Sequence, residues 1–414
     1  MSQGPLSGVT ILDMTRALAG PVATLILSGL GARVIRIEQP EVGEGRTSAP
    51  FIGSEGVSLK KRDGDVSLGH VIRHRGKDSI TLNLKHPKAK EIFKDLVQQV
   101  DIVVENFSPG TSDRLGVGYR DARAIKPSIV YTSITGYGHA GGSPGKVMDA
   151  VAQALAGTMM VSGLPEDPPV RHGMPFADLV TPLFAVIGTL AALRHRDQTG
   201  EGQHVDVSML GVMTSLQAME PWKILEDLGV PTRTGNTVPR LSPFGIYKAQ
   251  DAYVALCPAV HDRTRINFFT AIGRPELAED ERFNNQPGRL LHHKELEDVV
   301  SDWIKGLPAD EAVERLIAHG AMAARVRTPD EANKDVRVLR RGEVVPVEHP
   351  VVGAVNDNEG NGINAAGLPI VFSQTPAKYA RTSDELGGHN EDVFQGILGY
   401  SKEQLEELAN EGVI

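Results

Sequence analysis

Cysteine is almost absent from the sequence, which contains only Cys257, inside the apolar stretch YVALCPAV. A single cysteine cannot build a disulfide framework or a cysteine-rich zinc site. We interpret Cys257 as a small apolar side chain of a buried strand and not as a nucleophile. The chain also lacks an uninterrupted apolar run of about 18 residues, and its N-terminus has no basic region followed by an apolar one. These absences predict a soluble, cytoplasmic protein.

Positive charge is also in deficit. The 43 Lys and Arg residues are outnumbered by 52 Asp and Glu residues, which gives a formal net charge of −9 and argues against a general nucleic-acid-binding protein. The turn after the first predicted strand reads TRALAGP and lacks G-x-G-x-x-G, so we do not expect NAD there. Neither G-x-x-x-x-G-K-[ST] nor H-E-x-x-H occurs. The 13 histidines do not show a metal-ligand spacing, and we predict no metal.

The pattern of apolar residues predicts an α/β fold in the first half of the chain. The predicted strands lie at 9–13, 33–37, 102–105 and 128–133, and the predicted helices lie at 21–29 and from Pro87. Repeated strand–helix–strand units indicate a parallel sheet covered by helices on both faces. After residue 212, turn-rich sequence, alternating strands and a helix at 294–307 indicate a smaller α+β domain. The tail beyond residue 330 either closes that domain or returns to the first.

The segment from Glu38 to Lys77 has no regular pattern and is rich in Gly, Pro and charge. A structureless stretch of that length inside a domain is usually functional or mobile. It ends in HVIRHRGK, residues 70–77, with three cations and two histidines. We interpret this basic end either as a solvated loop or as a dock for phosphates.

One acid, Asp178, precedes an almost uncharged segment from Leu179 to Arg194, which predicts a helix buried on most sides. Thr181 is placed as its N-cap, with Pro182 at the first helical position. Asp178 would then lie on the turn that leads into the positive end of the helix. The local pattern leaves two interpretations, a carboxylate that caps the helix and a reactive group.

A series of short motifs runs across nearly the whole chain. In order they read LDMTRALAGP, LGARVIRIEQP, GKDSITLNLKHP, DIVVENFSPG, SITGYG, KVMDAVAQALAG, AD at 177–178, ALRHRDQTGEGQHVDVSML, GLPIVFSQTP and LGGHNEDVF. Each motif is weak by itself, but their order and spacing are specific. Together they resemble the class III, or CaiB/BaiF-type, CoA-transferase family, which includes formyl-CoA:oxalate and carnitine CoA-transferases.

The resemblance implies a fold and a set of site residues. Family members are interlocked homodimers, so we expect a doubly wound parallel-sheet large domain at 1–212, a small α+β domain at 213–329 and a C-terminal segment at 330–414 that returns to the large domain. The nucleophilic aspartate of the family falls on Asp178. Coenzyme A contacts fall on Leu18, Ala19, Gln39, Leu82, Asn83, Leu84, Lys85, Asn106, Phe107, Ser108, Arg114, Lys146, Val147, Met148 and Asp149.

The resemblance also implies a reaction in which CoA moves from an acyl-CoA to a free carboxylic acid, through aspartyl anhydrides and a β-aspartyl-CoA thioester. Leu18 and Met148 replace a glutamine and a tyrosine of formyl-CoA transferase, which argues against formyl-CoA and oxalate and favours a larger, less polar acyl group. One alternative is a 2-methylacyl-CoA racemase of the same fold. That reaction needs a histidine where this chain has Met148, although His139 and His172 lie nearby in sequence. Another alternative is a non-catalytic CoA-binding subunit.

Overall fold

The computed structural model describes residues 4–41, 43, 45–142, 145–238, 241–257, 262–350, 352–380 and 382–414. The chain divides into two compact units. The first unit contains Met1–Ala156, His172–Leu216 and Asn333–Ile414, and the second contains Gly157–Arg171 and Gln217–Ala332. Segments from both ends of the chain therefore belong to the first unit.

The strands of the described residues are numbered in chain order. They are β1 (Thr10–Asp13), β2 (Arg33–Glu38), β3 (Phe51–Gly53), β4 (Gly56–Ser58), β5 (Val66–Ser67), β6 (Lys77–Thr81), β7 (Ile102–Glu105), β8 (Val130–Thr135), β9 (His204–Ser208), β10 (Gly245–Lys248), β11 (Tyr253–Cys257), β12 (Met322–Arg325), β13 (Val344–Pro346), β14 (Glu348–His349), β15 (Gly353–Ala354) and β16 (Asn364–Ala366). The four strands predicted in the first half are confirmed as β1, β2, β7 and β8, each shifted at its ends by two residues or fewer.

The helices are numbered in the same way. They are α1 (Ala19–Gly29), α2 (Leu68–Arg73), α3 (Ala89–Gln99), α4 (Thr111–Leu115), α5 (Tyr119–Ile125), α6 (Asp149–Leu155), α7 (Phe176–Thr199), α8 (Met209–Gln217), α9 (Trp222–Asp227), α10 (Asp262–Ala271), α11 (Gln286–Leu291), α12 (His293–Lys305), α13 (Ala309–Ala318), α14 (Pro329–Asn333), α15 (Val336–Arg340) and α16 (Lys402–Asn410). Two 3₁₀ turns at Thr158–Met160 and Pro275–Ala278 and a π-helix at Glu391–Ile397 complete the described helical structure.

A six-stranded parallel sheet forms the centre of the first unit, in the order β6-β2-β1-β7-β8-β9. Numbered by their place in the chain, these strands run 3-2-1-4-5-6. The strand order therefore reverses direction between β1 and β7, and the loops that leave these two strands diverge. A crevice opens at such a point on the carboxyl edge of a parallel sheet. The prediction of an α/β fold around a parallel sheet is confirmed.

Helices cover both faces of the central sheet. Because the side chains of a strand alternate between its two faces, consecutive residues of β1 pack in different cores. Ile11 of β1 packs in a core with residues of α1 and α7. Its neighbour Leu12 packs in a second core with residues of α3 and α16. Both side chains are completely buried. Phe394 of the π-helix lies in this second core, so the end of the chain contributes to the packing of the first unit.

The second unit has its own antiparallel sheet, in the order β10-β11-β12. Its core contains Val254 from β11, Phe269 from α10 and Leu296, Val300 and Ile304 from α12. The apolar spacing of four residues in α12 puts these three side chains on one face of the helix. The predicted helix at 294–307 is confirmed as α12.

The expectation that the segment from Glu38 to Lys77 lacks regular structure is wrong, and so is the interpretation of residues 70–77 as a solvated loop. Strands β3, β4 and β5 form a small antiparallel sheet there, and α2 follows them. His70, His74 and Lys77 are each no more than 4% exposed. The Lys77 ammonium group pairs with the buried carboxylate of Asp13 at 3.1 Å, so it is committed to the interior and is not available to a phosphate. Burial lowers its pKa to about 8.

Helix α7 is long and apolar enough, by length and composition, to cross a membrane. In the first unit it packs against α1 and against β8 and β9. Its opposite side exposes Leu183, Phe184 and Ile187. The prediction that this helix is buried on most sides is therefore wrong for the single chain. We call these three side chains the α7 patch.

Candidate active site

Asp178 lies in the first turn of α7, which begins at Phe176. The predicted start at Thr181 and Pro182 is wrong. The Thr181 hydroxyl donates to the Ala177 carbonyl at 2.7 Å inside the helix, and Pro182 is also an interior residue. Because proline has no N–H, Pro182 cannot donate to the carbonyl of Asp178 four residues earlier. The half-buried Asp178 is thus part of the helix and not of the turn that precedes it.

The carboxylate that caps α7 belongs to Asp149, the first residue of α6. Its Oδ1 accepts hydrogen bonds from the backbone N–H of Ala177 at 2.8 Å and of Asp178 at 3.4 Å. Its Oδ2 accepts from Gln153 Nε2 at 2.7 Å, and Gln153 Oε1 accepts from the N–H of His172 at 2.8 Å. The interpretation of Asp178 as the capping group is therefore wrong. Within the described residues, the Asp178 carboxylate accepts no hydrogen bond that would hold it in another role.

The environment of Asp178 raises its pKa from 3.8 to about 6. Burial is the largest cause, because loss of water disfavours the charged carboxylate. Repulsion from the Asp149 carboxylate raises the pKa further, and the Arg73 guanidinium lowers it. Asp178 is therefore a desolvated acid whose ionisation depends on one neighbouring anion and one neighbouring cation.

Arg73, the last residue of α2, is the cation that lowers the pKa of Asp178, and two neighbouring groups define where its guanidinium lies. Its Nη1 donates to the Ala17 carbonyl at 3.1 Å. Its guanidinium lies over Gly69, where an added Cβ would come within 2.5 Å of Nη2. Ala17 itself has a φ of 60°, an uncommon conformation for a residue other than glycine. The Ala17 carbonyl and the space left by Gly69 thus define the position of the guanidinium whose charge lowers the pKa of Asp178.

A cavity of about 270 Å³ opens at the carboxyl edge of the central sheet. It is lined by Met14, Arg16, Ile37, Glu38, Gln39, Leu82, Leu84, Lys85, Phe107, Thr111, Arg114 and Leu115. These residues end or follow β1, β2, β6 and β7, so the cavity lies where the strand order reverses. The lining carries three cations, Arg16, Lys85 and Arg114, and its one acid, Glu38, pairs with Arg46 at 2.8 Å. Such a lining suits an anionic ligand.

Two loops at the mouth of this cavity are tied to each other. The N–H of Arg16 donates to Asn106 Oδ1 at 2.7 Å, and Asn106 Nδ2 donates back to the Arg16 carbonyl at 2.8 Å. The buried carboxylate of Glu105 accepts from the N–H of Phe107 at 2.7 Å. The loop after β1 therefore borders the cavity through Arg16 and reaches the Asp178 environment through the bond between Ala17 and Arg73.

The predicted CoA contacts fall in three places. Six of the 15 line the cavity, namely Gln39, Leu82, Leu84, Lys85, Phe107 and Arg114. Asn83, Asn106 and Ser108 lie in the same two loops after β6 and β7, and Leu18 and Ala19 lie where the loop after β1 enters α1. Lys146, Val147, Met148 and Asp149 lie instead at the start of α6, beside Asp178. The structure thus places nine of the 15 in the cavity or in its bordering loops, two at the start of α1 and four at the start of α6.

The segment after β8 reads GYGHAGGSPG, residues 136–145, and matches both G-x-G-x-x-G and G-x-S-x-G. A dinucleotide site would have a helix beginning at these glycines, whereas α6 begins at Asp149. Ser143 lies outside the described residues. An added Cβ at Gly136 would come within 2.5 Å of Val147 Cβ. Gly136 therefore permits the close approach that brings the start of α6 back to the end of β8.

Sequence reasoning missed the electrostatic effect of Arg73 on Asp178 and the hydrogen bond from the Phe107 N–H to Glu105. It also missed that Asp149 caps α7. Arg73 belongs to the basic stretch at 70–77, but charge alone did not distinguish it from its buried neighbours. Glu105 ends a buried strand, and an acid at the carboxyl end of an apolar strand is a signal that could have identified it. Asp149 follows a Met where a helix begins, which is an ordinary helix-start pattern.

Asp78, Asp384 and His389 bring three potential metal ligands together. Asp78 already accepts a hydrogen bond from Arg33 Nε at 2.6 Å. Acidic groups commonly cluster in this way without an ion, and our expectation of no metal stays a prediction.

Comparison with known proteins decides the family. The model of CoA-transferase family III matches residues 6–390 of the chain. The chain belongs to CoA-transferase family III. The enzyme is 31% identical to succinyl-CoA–D-citramalate CoA-transferase of Chloroflexus aurantiacus, over 99% of this chain and 98% of that protein. It is 33% identical to formyl-CoA:oxalate CoA-transferase of Streptomyces coelicolor, over the full length of both.

Solved structures agree with this assignment. The crystal structure of a CaiB/BaiF family protein from Brucella suis matches 95% of the transferase chain and 99% of its own, with a TM-score of 0.79 at 29% identity. The CaiB/BaiF fold is thereby confirmed, as is the prediction of an enzyme that transfers CoA.

The charges around Asp178 predict how its ionisation responds to substitution in this transferase. Asp149→Asn removes a negative neighbour and should lower the pKa of Asp178 below its wild-type value of about 6. Arg73→Gln removes the cation and should raise it. The pKa can be measured by titrating the ¹³C signal of the Asp178 carboxyl, assigned by its loss in Asp178→Asn. Asp197→Asn, an exposed acid at the other end of α7, should leave the titration unchanged. A titration that moves in the same direction in both neighbouring variants would contradict this electrostatic account.

Proposed function

We propose that this enzyme moves CoA from an acyl-CoA donor to a free carboxylic acid, with Asp178 as the nucleophile. The observation that carries the proposal is the half-buried Asp178 carboxylate, which lacks a hydrogen-bond donor among the described residues. It is connected to the cationic cavity through Arg73, whose guanidinium is bonded to Ala17 in the loop that borders the cavity. A carboxylate with a pKa of about 6 is ionised in most molecules at pH 7, so it needs no general base. Below pH 6 protonation removes the nucleophile.

The chemistry follows from the carboxylate. Asp178 Oδ attacks the thioester carbonyl of the donor, the C–S bond breaks, and an acyl-aspartyl anhydride and CoA thiolate form. The thiolate attacks the aspartyl carbonyl and releases the donor acid, which leaves a β-aspartyl-CoA thioester. The acceptor carboxylate attacks this thioester, forms a second anhydride and releases the thiolate again. Attack of the thiolate on the acceptor carbonyl then gives the new acyl-CoA and regenerates Asp178.

Related enzymes support an acyl-CoA and a small acid as the substrates. The names of the relatives include succinyl-CoA with citramalate and glutarate, and formyl-CoA with oxalate. We propose the same substrate classes for this chain, without metal participation, and place the enzyme in the cytoplasm. Leu18 and Met148 continue to favour an acyl group larger than formyl. A racemase remains distinguishable, since it would exchange the α-proton of a 2-methylacyl-CoA with deuterium and a transferase would not.

We propose that coenzyme A lies in the cavity at the carboxyl edge of the sheet. Lys85 and Arg114 are exposed, border the cavity and have no ion-pair partner among the described residues. Guanidinium and ammonium groups of this kind bind phosphate oxygens through charge-assisted hydrogen bonds. Asn106 and Ser108 come from a loop that borders the same cavity, whereas the proposed contacts at 146–149 lie at the start of α6.

We also propose that two chains form a homodimer, interlocked as the resemblance implies. The α7 patch supports this, because Ile187 is 62% exposed in the single chain although it lies on an apolar helix. Helix α6, which packs on α7, exposes Val151 and Leu155 as well. Contiguous apolar surfaces of this kind are usually covered by a partner, and a second copy of the chain is the partner that the family resemblance supplies.

The covalent mechanism predicts an adduct at Asp178. Incubation with succinyl-CoA, followed by hydroxylamine and peptide mass spectrometry, should place a hydroxamate on Asp178. Asp178→Ala should lose roughly 10³-fold or more in turnover, as expected when a nucleophile is removed. Asp197→Ala is the matched control and should keep full activity. An adduct on another residue, or an active Asp178→Ala enzyme, would overturn the mechanism.

The CoA proposal predicts a change confined to donor binding. Lys85→Ala and Arg114→Ala should each raise the KM for acyl-CoA by roughly 5- to 30-fold, since each removes a charge-assisted bond worth about 1–2 kcal/mol. The neighbouring Lys88→Ala removes a cation that pairs with Glu407 and Glu411 outside the cavity, and its KM should not change. Steady-state kinetics with varied acyl-CoA gives the answer, and equal effects in all three variants would refute the assignment.

The dimer proposal predicts the mass in solution. Sedimentation of the wild-type protein should give twice the 44.5 kDa chain mass. Ile187→Glu puts a charge into the α7 patch and should lower the yield of folded dimer, because a buried unpaired charge is costly. Leu59→Glu, at a position 80% exposed and outside the patch, should sediment as the wild type does. A wild-type protein that sediments at the mass of one chain would exclude the dimer.

A further inference from the structure

The acceptor half of the proposed reaction faces an electrostatic problem at this site. The acceptor is itself a carboxylate and must reach the carbonyl of Asp178. The Asp149 carboxylate is already close enough to raise the pKa of Asp178 by repulsion. An anion that enters such a site needs a cation to offset the repulsion. This inference rests on the proposed transfer reaction and concerns the residue that binds the second substrate.

Arg73 is the cation that acts on Asp178 within the described part of the chain. Its guanidinium has five N–H donors, and the bond from Nη1 to the Ala17 carbonyl is its one hydrogen bond to described residues. Among the described residues it forms no ion pair with Asp178. The two charged groups attract each other electrostatically without direct hydrogen bonds between them. The remaining donors are therefore available to a carboxylate that enters beside Asp178.

The position of Arg73 is built into the fold and does not depend on a substrate. Gly69, one turn earlier in α2, leaves room for the guanidinium, since a Cβ there would come within 2.5 Å of Nη2 and 3.2 Å of Cζ. The Ala17 carbonyl holds the opposite side of the group. A planar guanidinium fixed in this way can bind both oxygens of a carboxylate, which a lysine ammonium cannot do with the same geometry.

We propose that the Arg73 guanidinium binds the attacking carboxylate of the acceptor acid and is thus a catalytic residue of the second half-reaction. When Asp178 carries CoA as a neutral thioester, its negative charge is gone and Arg73 loses that attraction. The acceptor carboxylate then takes its place next to Arg73. One of its oxygens attacks the aspartyl carbonyl, the C–S bond breaks, and CoA thiolate leaves, while the other oxygen keeps its bond to the guanidinium. When Asp178 is free and ionised, its charge opposes binding of the acceptor, so the acceptor binds after the donor has reacted.

The test separates the two substrates kinetically at pH 8, well above the Asp178 pKa of about 6. The donor is succinyl-CoA, and the acceptor is the acid with the highest turnover in a panel of mono- and dicarboxylic acids. Arg73→Gln should raise the acceptor KM by roughly 10- to 100-fold, the range for loss of a hydrogen-bonded charge. The succinyl-CoA-dependent adduct on Asp178 should still form. The acceptor KM of Arg73→Lys should fall between those of the wild type and Arg73→Gln, because lysine keeps the charge but lacks the two parallel N–H donors of a guanidinium.

Two further variants make the test specific. Gly69→Ala keeps the Arg73 charge but displaces its guanidinium, and it should also raise the acceptor KM without preventing the adduct. Lys85→Ala should show the reverse pattern, with the donor KM raised and the acceptor KM unchanged. Circular dichroism and the melting temperature verify that each variant is folded.

The outcomes distinguish the two proposals. If the wild-type enzyme forms no adduct on Asp178, the transfer mechanism itself fails. If the adduct forms in the wild type and in Arg73→Gln, but the acceptor KM is unchanged in that variant, the assignment of Arg73 is wrong. A variant that forms the adduct normally and loses only its response to the acceptor establishes the assignment.

Discussion

Parallel alignment of the six central strands is the constraint on which the site depends. Every strand ends at the same edge, so the loops after β1, β2, β6 and β7 meet although they are far apart in the chain. The reversal of strand order between β1 and β7 separates their loops and leaves a cavity between them. Reciprocal hydrogen bonds between Arg16 and Asn106 then fix the mouth of that cavity. The sheet thereby supplies a cationic pocket and carries α7, the helix that contains Asp178, on one of its faces.

The chemistry of the site comes from unequal solvation and charge around one helix start. Asp149 uses its carboxylate to satisfy backbone N–H groups of α7, whereas Asp178 keeps its own carboxylate unbonded within the described structure. Loss of water and, after it, repulsion from the Asp149 carboxylate raise the pKa of Asp178 to about 6, and Arg73 limits this rise. One acid is structural and the other is available because their hydrogen-bond partners differ. A similar division of labour between neighbouring carboxylates occurs in other active sites.

Prediction from sequence succeeded where apolar residues recur periodically. It failed where it had to tell a charged side chain that is buried from one that is available to a ligand. Alternation and helical spacing located β1, β2, β7 and α12 because apolar period reports directly on burial. The cations at 70–77 look alike in sequence, yet Lys77 pairs with Asp13 in the interior while Arg73 interacts electrostatically with Asp178. The apolar pattern of α7 likewise could not distinguish a helix buried on most sides from one that exposes the α7 patch. Thr181 and Pro182 resemble a helix start, but Asp149 from a distant segment supplies the cap.

The amino-acid sequence by itself determined the fold class and the family, since these are carried by apolar periodicity and by the order of motifs along the chain. Only the tertiary structure decided which acid caps the helix, which cation reaches Asp178 and where the loops converge. The physical reason is that pKa values, ion pairs and cavities depend on distances between residues such as Arg73, Asp149 and Asp178. Sequence separation does not specify those distances, and folding around the parallel sheet does.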